Sequence, residues 1–239
     1  MDMEGQVSHL VDTAWDRFLM TPEQKRLIIA IGGIPGSGKT TLSKHITTAL
    51  NTRYEALHPG SLPIAIFVPM DGYHLTRAQL SAMPDPVTAH ARRGAEFTFD
   101  GEGFRRLVQA LREPLSPSSQ AVFAPSFDHA VKDPKEDDIA ISPTHRIVVL
   151  EGNYVLLDKE PWRMSASMFD IKCFVDVDFS VARKRLAVRH LAAGLAVTAE
   201  EADRRAVEND LPNSEEVVRL LLPPDMTVVS REDEAWAAS

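Results

Sequence analysis

The chain of 239 residues is 44% hydrophobic and 25% charged, a balance that fits one large globular domain and excludes a mainly disordered or fibrous chain. Its formal net charge of −8 and pI near 5.5 argue against general nucleic-acid binding, which needs clustered Lys and Arg against the phosphate backbone. No stretch approaches the roughly 20 apolar residues that span a bilayer. The start of the chain carries Asp2, Glu4, Asp12 and Asp16 with no apolar core of signal-peptide length, so the expectation is a cytoplasmic protein with no membrane partner.

Val7, Leu10, Val11, Ala14 and Phe18 recur at helical spacing and predict a first amphipathic helix within residues 1–21 that ends near Thr21 and Pro22. Five short apolar runs rich in β-branched residues follow, at 27–31, 64–68, 146–150, 171–177 and 226–229. Continuous runs of this kind suit strands buried on both faces, and the helical segments between most of them make parallel pairing through right-handed crossovers the economical topology. Cys173, the single cysteine, lies inside the fourth run and reads as a buried strand residue. Residues 72–142 are long and irregular for a crossover. They hold a helix near 103–111, a turn-rich stretch at 113–119 and a charged one at 133–138, and they read as insertions that build a substrate site. Residues 180–193 form a basic helix closed by Gly194, and Thr198 with Glu201 offers a capping box for another helix to about residue 210.

Residues 33–40, Gly-Ile-Pro-Gly-Ser-Gly-Lys-Thr, fit the pattern G-x-x-x-x-G-K-[ST] and lie between a predicted strand and a predicted helix. Glycines at 33, 36 and 38 let successive backbone N–H groups point inward, and the following helix adds its positive N-terminal end. The nucleotide-binding set is therefore Gly33, Pro35, Gly36, Ser37, Gly38, Lys39, Thr40 and Thr41, with Lys39 reaching the β- and γ-phosphates and Thr40 binding Mg²⁺. No Asn-Lys-x-Asp sequence of the kind that reads guanine is present. Two carboxylates follow predicted strands: Asp71 after the run at 64–68, and Glu151 after the run at 146–150. In a parallel sheet both belong on the rim that carries the phosphate loop. Phosphoryl transfer to an alcohol needs a proton acceptor and a group that helps hold the metal, and these roles fall to Asp71 and Glu151 respectively.

These residues resemble the uridine kinase, pantothenate kinase and phosphoribulokinase group of P-loop kinases. The matching pieces, in order, are residues 33–40, Asp-Gly-Tyr-His at 71–74, Arg-Gly-Ala-Glu-Phe-Thr-Phe-Asp at 93–100, Pro-Ser-Phe-Asp-His at 125–129, Glu-Gly-Asn-Tyr at 151–154 and Arg-Leu-Ala-Val-Arg at 185–189. The resemblance implies a single P-loop kinase domain over 1–239: a three-layer α/β fold with a five-stranded parallel sheet, helices on both faces and an arginine-bearing lid within 180–212. It implies ATP with Mg²⁺ and a catalytic aspartate at 71. Arg185 and Arg189 stand one helical turn apart and share a face suited to neutralising charge on the transferring phosphoryl group.

Tyr73, His74, Arg77, Arg92, Arg93, Phe97, Phe127, Asp128 and His129 fall in the segments that wall the acceptor pocket. Tyr73 and Phe127 suit stacking on a nucleobase, with Asp128, His129 and Arg93 on ribose hydroxyls; the same arginines equally suit a carboxylate or a sugar phosphate. A nucleoside is the first expectation for the small-molecule acceptor, and pantothenate or a sugar is the alternative. A nucleotide-regulated ATPase switch is the competing class, and such a switch needs no second small-molecule pocket. Asn209 to Asn213 form a further polar cluster in which Asn213 suits a helix N-cap. The sequence leaves the oligomeric state open.

Overall fold

The computed structural model describes residues 2–128 and 130–231. Helix α1 (Met3–Leu19) is capped by Asp2, whose carboxylate accepts from the Gly5 N–H at 2.9 Å. Strand β1 (Leu27–Gly33), helix α2 (Lys39–Leu57) and strand β2 (Ala65–Pro69) follow. A 3₁₀ turn, Met70–Tyr73, leads to α3 (Arg77–Ser81), α4 (Pro86–Ala91) and α5 (Gly101–Arg112). A hairpin of β3 (Val122–Asp128) and β4 (Asp133–Ile141) precedes β5 (Ile147–Gly152), α6 (Trp162–Ala166) and β6 (Ile171–Asp176). The described chain then runs through α7 (Phe179–Ala192), α8 (Ala199–Arg205), a π-helical turn (Ala206–Asp210), α9 (Leu211–Arg219) and β7 (Met226–Val229).

The five apolar runs of the sequence become the five strands of one parallel sheet, in the order β2-β5-β1-β6-β7. Side chains alternate across it. Leu27, Ile29 and Ile31 of β1 pack with Leu10, Trp15, Leu42 and Ile46 from α1 and α2, whereas Ile28 and Ala30 pack with Phe104, Leu107 and Trp162 from α5 and α6. This two-sided burial makes strands of continuous apolar sequence, and each fully buried large side chain contributes roughly 1.5–3 kcal/mol. Cys173 has no exposed surface, and burial pushes its thiol up to about 12, which keeps it unreactive at neutral pH. Among the described residues no helix is long and apolar enough to cross a membrane.

The hairpin is an element that periodicity did not announce. Between Asp133 and Ile141 only Ile141 is fully buried, so the ribbon presents charges on both sides and lacks the alternation of a half-buried strand. Its register shifts between Ala124 and Ser126, at Pro125, whose missing N–H is tolerated in such a bulge. The second difference lies after Thr198. The expected helix does not stop near residue 210; it passes through the π-helical turn into α9. Asn213 is therefore inside a helix and not at its cap, and its buried side chain accepts from Arg92 Nη2 at 2.8 Å.

Phe104 lies at the hub of the layer beneath the site, edge-on to Tyr73 at 5.4 Å and 5.6 Å from Trp162. Phe104→Ala is expected to lower the unfolding free energy by about 3–5 kcal/mol, read as a fall in the urea midpoint at unchanged slope.

Candidate active site

Parallel pairing fixes where three strands emerge. Ile31 of β1 and Pro69 of β2 both stand in register with Glu151 of β5. The turn after β1, the turn after β2 and Glu151 thus share one rim of the sheet, and Asp71 follows Pro69 by two residues within its 3₁₀ turn.

The loop after β1 is shaped by two left-handed glycines, Gly36 at φ 79° and Gly38 at φ 88°. A Cβ on Gly36 would also come within 2.8 Å of the Ala182 carbonyl oxygen, so α7 packs directly on the loop. Helix α2 starts at Lys39 with no side-chain cap and no acidic residue in its first turn, which leaves its N-terminal N–H groups and positive dipole end open to an anion. The Ser37 hydroxyl is fully buried with no partner among the described residues. Pro35 and Gly33 complete the loop, and Thr41 stands in the first turn of α2. A nucleotide's phosphates fit this cradle: it offers donors and positive ends that the protein does not itself satisfy.

Lys39 is 8% exposed and Glu151 4%. The Lys39 ammonium donates to the Ile34 carbonyl at 3.3 Å and lies 3.8 Å from Glu151 Oε1. The Thr40 hydroxyl donates to Glu151 Oε2 at 3.2 Å. Burial lowers the Lys39 pKa, opposed first by Glu151 and then by Asp71. Burial likewise raises the Glu151 carboxyl well above the usual carboxylate range; Lys39 opposes that shift and Asp71 reinforces it. The Asp71 carboxylate therefore acts on both members of the buried pair.

Two lid groups act there as well. Arg189 of α7 opposes protonation of Lys39 and favours ionised Glu151. Asp210, in the π-helical turn, adds negative potential at Lys39, and its carboxylate lies 2.7 Å from His190 Nε2. Arg185 is placed differently. It donates to the Gly36 carbonyl at 3.2 Å, to Ser230 Oγ at 2.9 Å and to the Arg231 carbonyl at 2.7 Å, pinning α7 to the loop and to the segment after β7.

Of the acceptor-side residues, His74 sits between Phe99 at 4.0 Å and Phe127 at 4.9 Å. Its Nδ1 lies 2.8 Å from the Asp71 carbonyl oxygen and helps fix the turn. The Arg93 guanidinium is engaged by the Asp133 carboxylate at 2.8 Å and by the Leu75 and Lys132 carbonyls, and it covers the Phe127 ring at 5.6 Å. Arg92 holds Asn209 and Asn213 at 3.2 and 2.8 Å. Arg77 is exposed, with its backbone N–H on Asp133. Asp128 Oδ1 accepts from the N–H groups of Ala130 and Val131 and so shapes the hairpin turn. Tyr73 packs on Phe104 in the core, and His129 lies outside the described residues. Asn209 and Asp210 belong to the polar cluster at 209–213, to which the sequence reading gives no role at the phosphate loop; His190 is the residue that it does not single out.

Comparison with known proteins agrees with this fold and loop. A model of the phosphoribulokinase / uridine kinase family matches residues 28–193. The ATP-dependent kinase-like protein notR' of Aspergillus versicolor is 56% identical over 154 residues, covering 64% of this chain and 90% of that one. C227.14 of Schizosaccharomyces pombe, whose name provisionally calls it a uridine kinase, is 42% identical over 205 residues, covering 86% and 83%. The crystal structure of YFH7 from Saccharomyces cerevisiae superposes with a TM-score of 0.84 at 26% identity, covering 95% of this chain and 99% of that one. A parallel sheet with a phosphate cradle at its rim defines a P-loop nucleotide-binding protein. The chain belongs to the phosphoribulokinase / uridine kinase family and is an ATP-dependent kinase that acts on a small-molecule substrate.

The turn carrying Asp71 is clamped through Gly72, where a Cβ would lie 2.0 Å from the Pro125 carbonyl oxygen. Gly72→Ala is expected to destabilise the protein by about 2–3 kcal/mol and to displace Asp71. Thermal unfolding and phosphoryl-transfer assays on the purified variant should show both losses, with ATP affinity nearly unchanged.

Proposed function

We propose that this kinase transfers the γ-phosphoryl group of ATP to a hydroxyl of a nucleoside, held between Asp71 and the phosphate loop. The observation that carries the reading is the strand register: Ile31 and Pro69 both pair with Glu151, so the turn that holds Asp71 leaves the sheet at the rim that carries Lys39 and Glu151. In this reading Asp71 accepts the hydroxyl proton as the oxygen attacks. Lys39 and Arg189 bind the phosphate oxygens on which negative charge collects, and the N-terminal N–H groups of α2 hold the remainder. Arg185, engaged with the loop and the segment after β7, keeps α7 in place.

Thr40 Oγ1 and Glu151 Oε2, 3.2 Å apart, are hard oxygen donors beside the cradle and fit Mg²⁺. Among the described residues no group of three or more His, Cys, Asp or Glu forms a metal cage, which suits an ion bound mainly through substrate oxygens and water. When bound, the ion would neutralise phosphate charge and hold the Glu151 carboxylate in its ionised form.

The preference for a nucleoside rests on the acceptor wall. His74, stacked on the buried Phe99, and Phe127 offer partly exposed aromatic rings suited to a base, whereas Arg92 and most of the Arg93 guanidinium are engaged by protein partners. This favours a neutral acceptor over pantothenate.

Asp71→Asn is expected to reduce kcat by about 10²–10⁴-fold while leaving the Kd for ATP within error of wild type. Unchanged turnover would remove Asp71 as the base. ATP consumption across a panel of nucleosides, pentoses, hexoses and pantothenate should peak with a nucleoside, and a clear preference for pantothenate or a hexose would overturn the acceptor. Arg189→Ala should act mainly on kcat, by about 10–100-fold, and Arg185→Ala mainly on thermal stability and ATP affinity. Identical kinetic defects in the two variants would contradict the division of roles.

A further inference from the structure

A cavity of about 350 Å³ lies behind the turn that carries Asp71, and no residue of the phosphate loop lines it. Its apolar floor comes from Leu107 and Ala110 of α5 and from Val122, Pro125 and Pro134 of the hairpin. The volume falls within the range of small-molecule pockets, at its lower end.

Tyr73 forms part of the wall. Its side chain is only 7% exposed, yet its hydroxyl bonds no described group. A nearby buried tyrosine behaves differently, since Tyr154 donates to the Gly94 carbonyl at 2.7 Å. An open hydroxyl on a buried ring lining a cavity is a group that an occupant can satisfy.

The rim gives the sign of that occupant. Asp100, Glu136 and Asp137 stand there against Arg106, which itself lies 3.5 Å from Asp100. Three carboxylates and one guanidinium leave the opening net negative. Burial, and then the charges of Asp100 and Glu136, hold the Tyr73 hydroxyl in its protonated form far above neutral pH. A polar, negative mouth over an apolar floor selects a molecule with a positive end and an apolar body.

We propose that this cavity is a second binding site, for a small organic ammonium ion with an apolar body; it borders the acceptor wall at His74, and its other walls come from α5 and the hairpin, away from the phosphate loop. The occupant's N–H groups meet the Tyr73 hydroxyl and the rim carboxylates, and its body covers Leu107 and Val122. Because Tyr73 belongs to the Met70–Tyr73 turn, an occupant braces the segment that also carries Asp71. The binding claim itself stands whether or not Asp71 is the base.

The test is calorimetric titration of the full chain with 2-phenylethylammonium, with phenylacetate and phenylacetamide as anionic and neutral controls. None of the three has an alcohol to phosphorylate. The ammonium ion should bind about tenfold or more tightly than phenylacetate. Tyr73→Phe and Glu136→Gln should each weaken it by about two- to tenfold, and Asp71→Asn should leave it unchanged. Glu136 lies on the exposed ribbon, so its variant reports on the cavity even if Tyr73→Phe disturbs the core. No ammonium binding up to about 10 mM, equal binding of phenylacetate, or loss of binding in Asp71→Asn would each overturn the proposal. The last result would place the probe in the catalytic site.

Discussion

A lysine and a glutamate buried side by side at the end of a parallel sheet set the terms for everything around them. Burial disfavours the charged form of both Lys39 and Glu151, and their mutual attraction, the Ile34 carbonyl and the Thr40 hydroxyl offset part of that penalty, with Asp71 and Asp210 assisting at Lys39 and Arg189 at Glu151. Burying such a pair is defensible when a further charged partner is expected. The open N-terminus of α2, the orphaned Ser37 hydroxyl and the approach of Arg189 supply a positive, unsatisfied environment that a polyanion completes. The same low-polarity surroundings strengthen every charge interaction made there.

The remaining architecture holds other groups against that pair. Register in the sheet brings Asp71 to the rim, and three local devices fix its turn: the close packing of Gly72 on Pro125, the His74 ring on the Asp71 carbonyl, and the Asp100 N–H on the Tyr73 carbonyl at 2.7 Å. The segment from the π-helical turn into α9 is bonded to Arg92 and Arg93. Asn209 and Asn213 take the Arg92 guanidinium, and the Asn209 amide donates to the Arg93 carbonyl at 3.1 Å. Both Asn209 and Asp210 come from a π-helical turn, a distortion that recurs at functional sites because it re-aims side chains that a regular helix would turn away. The helical segment therefore turns Asp210 towards Lys39 and Asn209 towards Arg92 and Arg93.

Elements whose physics is local could be read from the chain. The five buried strands announce themselves by continuous apolar runs, and the cradle by glycines that must adopt positive φ next to a lysine and a threonine. Asp71 and Glu151 could be placed on one rim because parallel topology dictates it. What could not be read depends on contacts between distant segments. The hairpin at 122–141 carries too many exposed charges to show a strand period, and the π-helical turn has no sequence signature. Arg185 and Arg189 share a helix face in the sequence, yet one is anchored by the Gly36 carbonyl and Ser230 while the other acts on the buried pair through its charge. Arg93 suits ribose hydroxyls or an anion in the sequence, and its ion pair with Asp133, 40 residues away, could not be read there.

The central claim is that Asp71 and the phosphate loop flank one acceptor hydroxyl. A crystal structure with a non-hydrolysable ATP analogue, Mg²⁺ and a nucleoside tests it directly. The account predicts the acceptor hydroxyl within hydrogen-bond reach of the Asp71 carboxylate and about 3–3.5 Å from the γ-phosphorus. An Asp71 side chain turned away from the nucleotide, with another group contacting that hydroxyl, would contradict it.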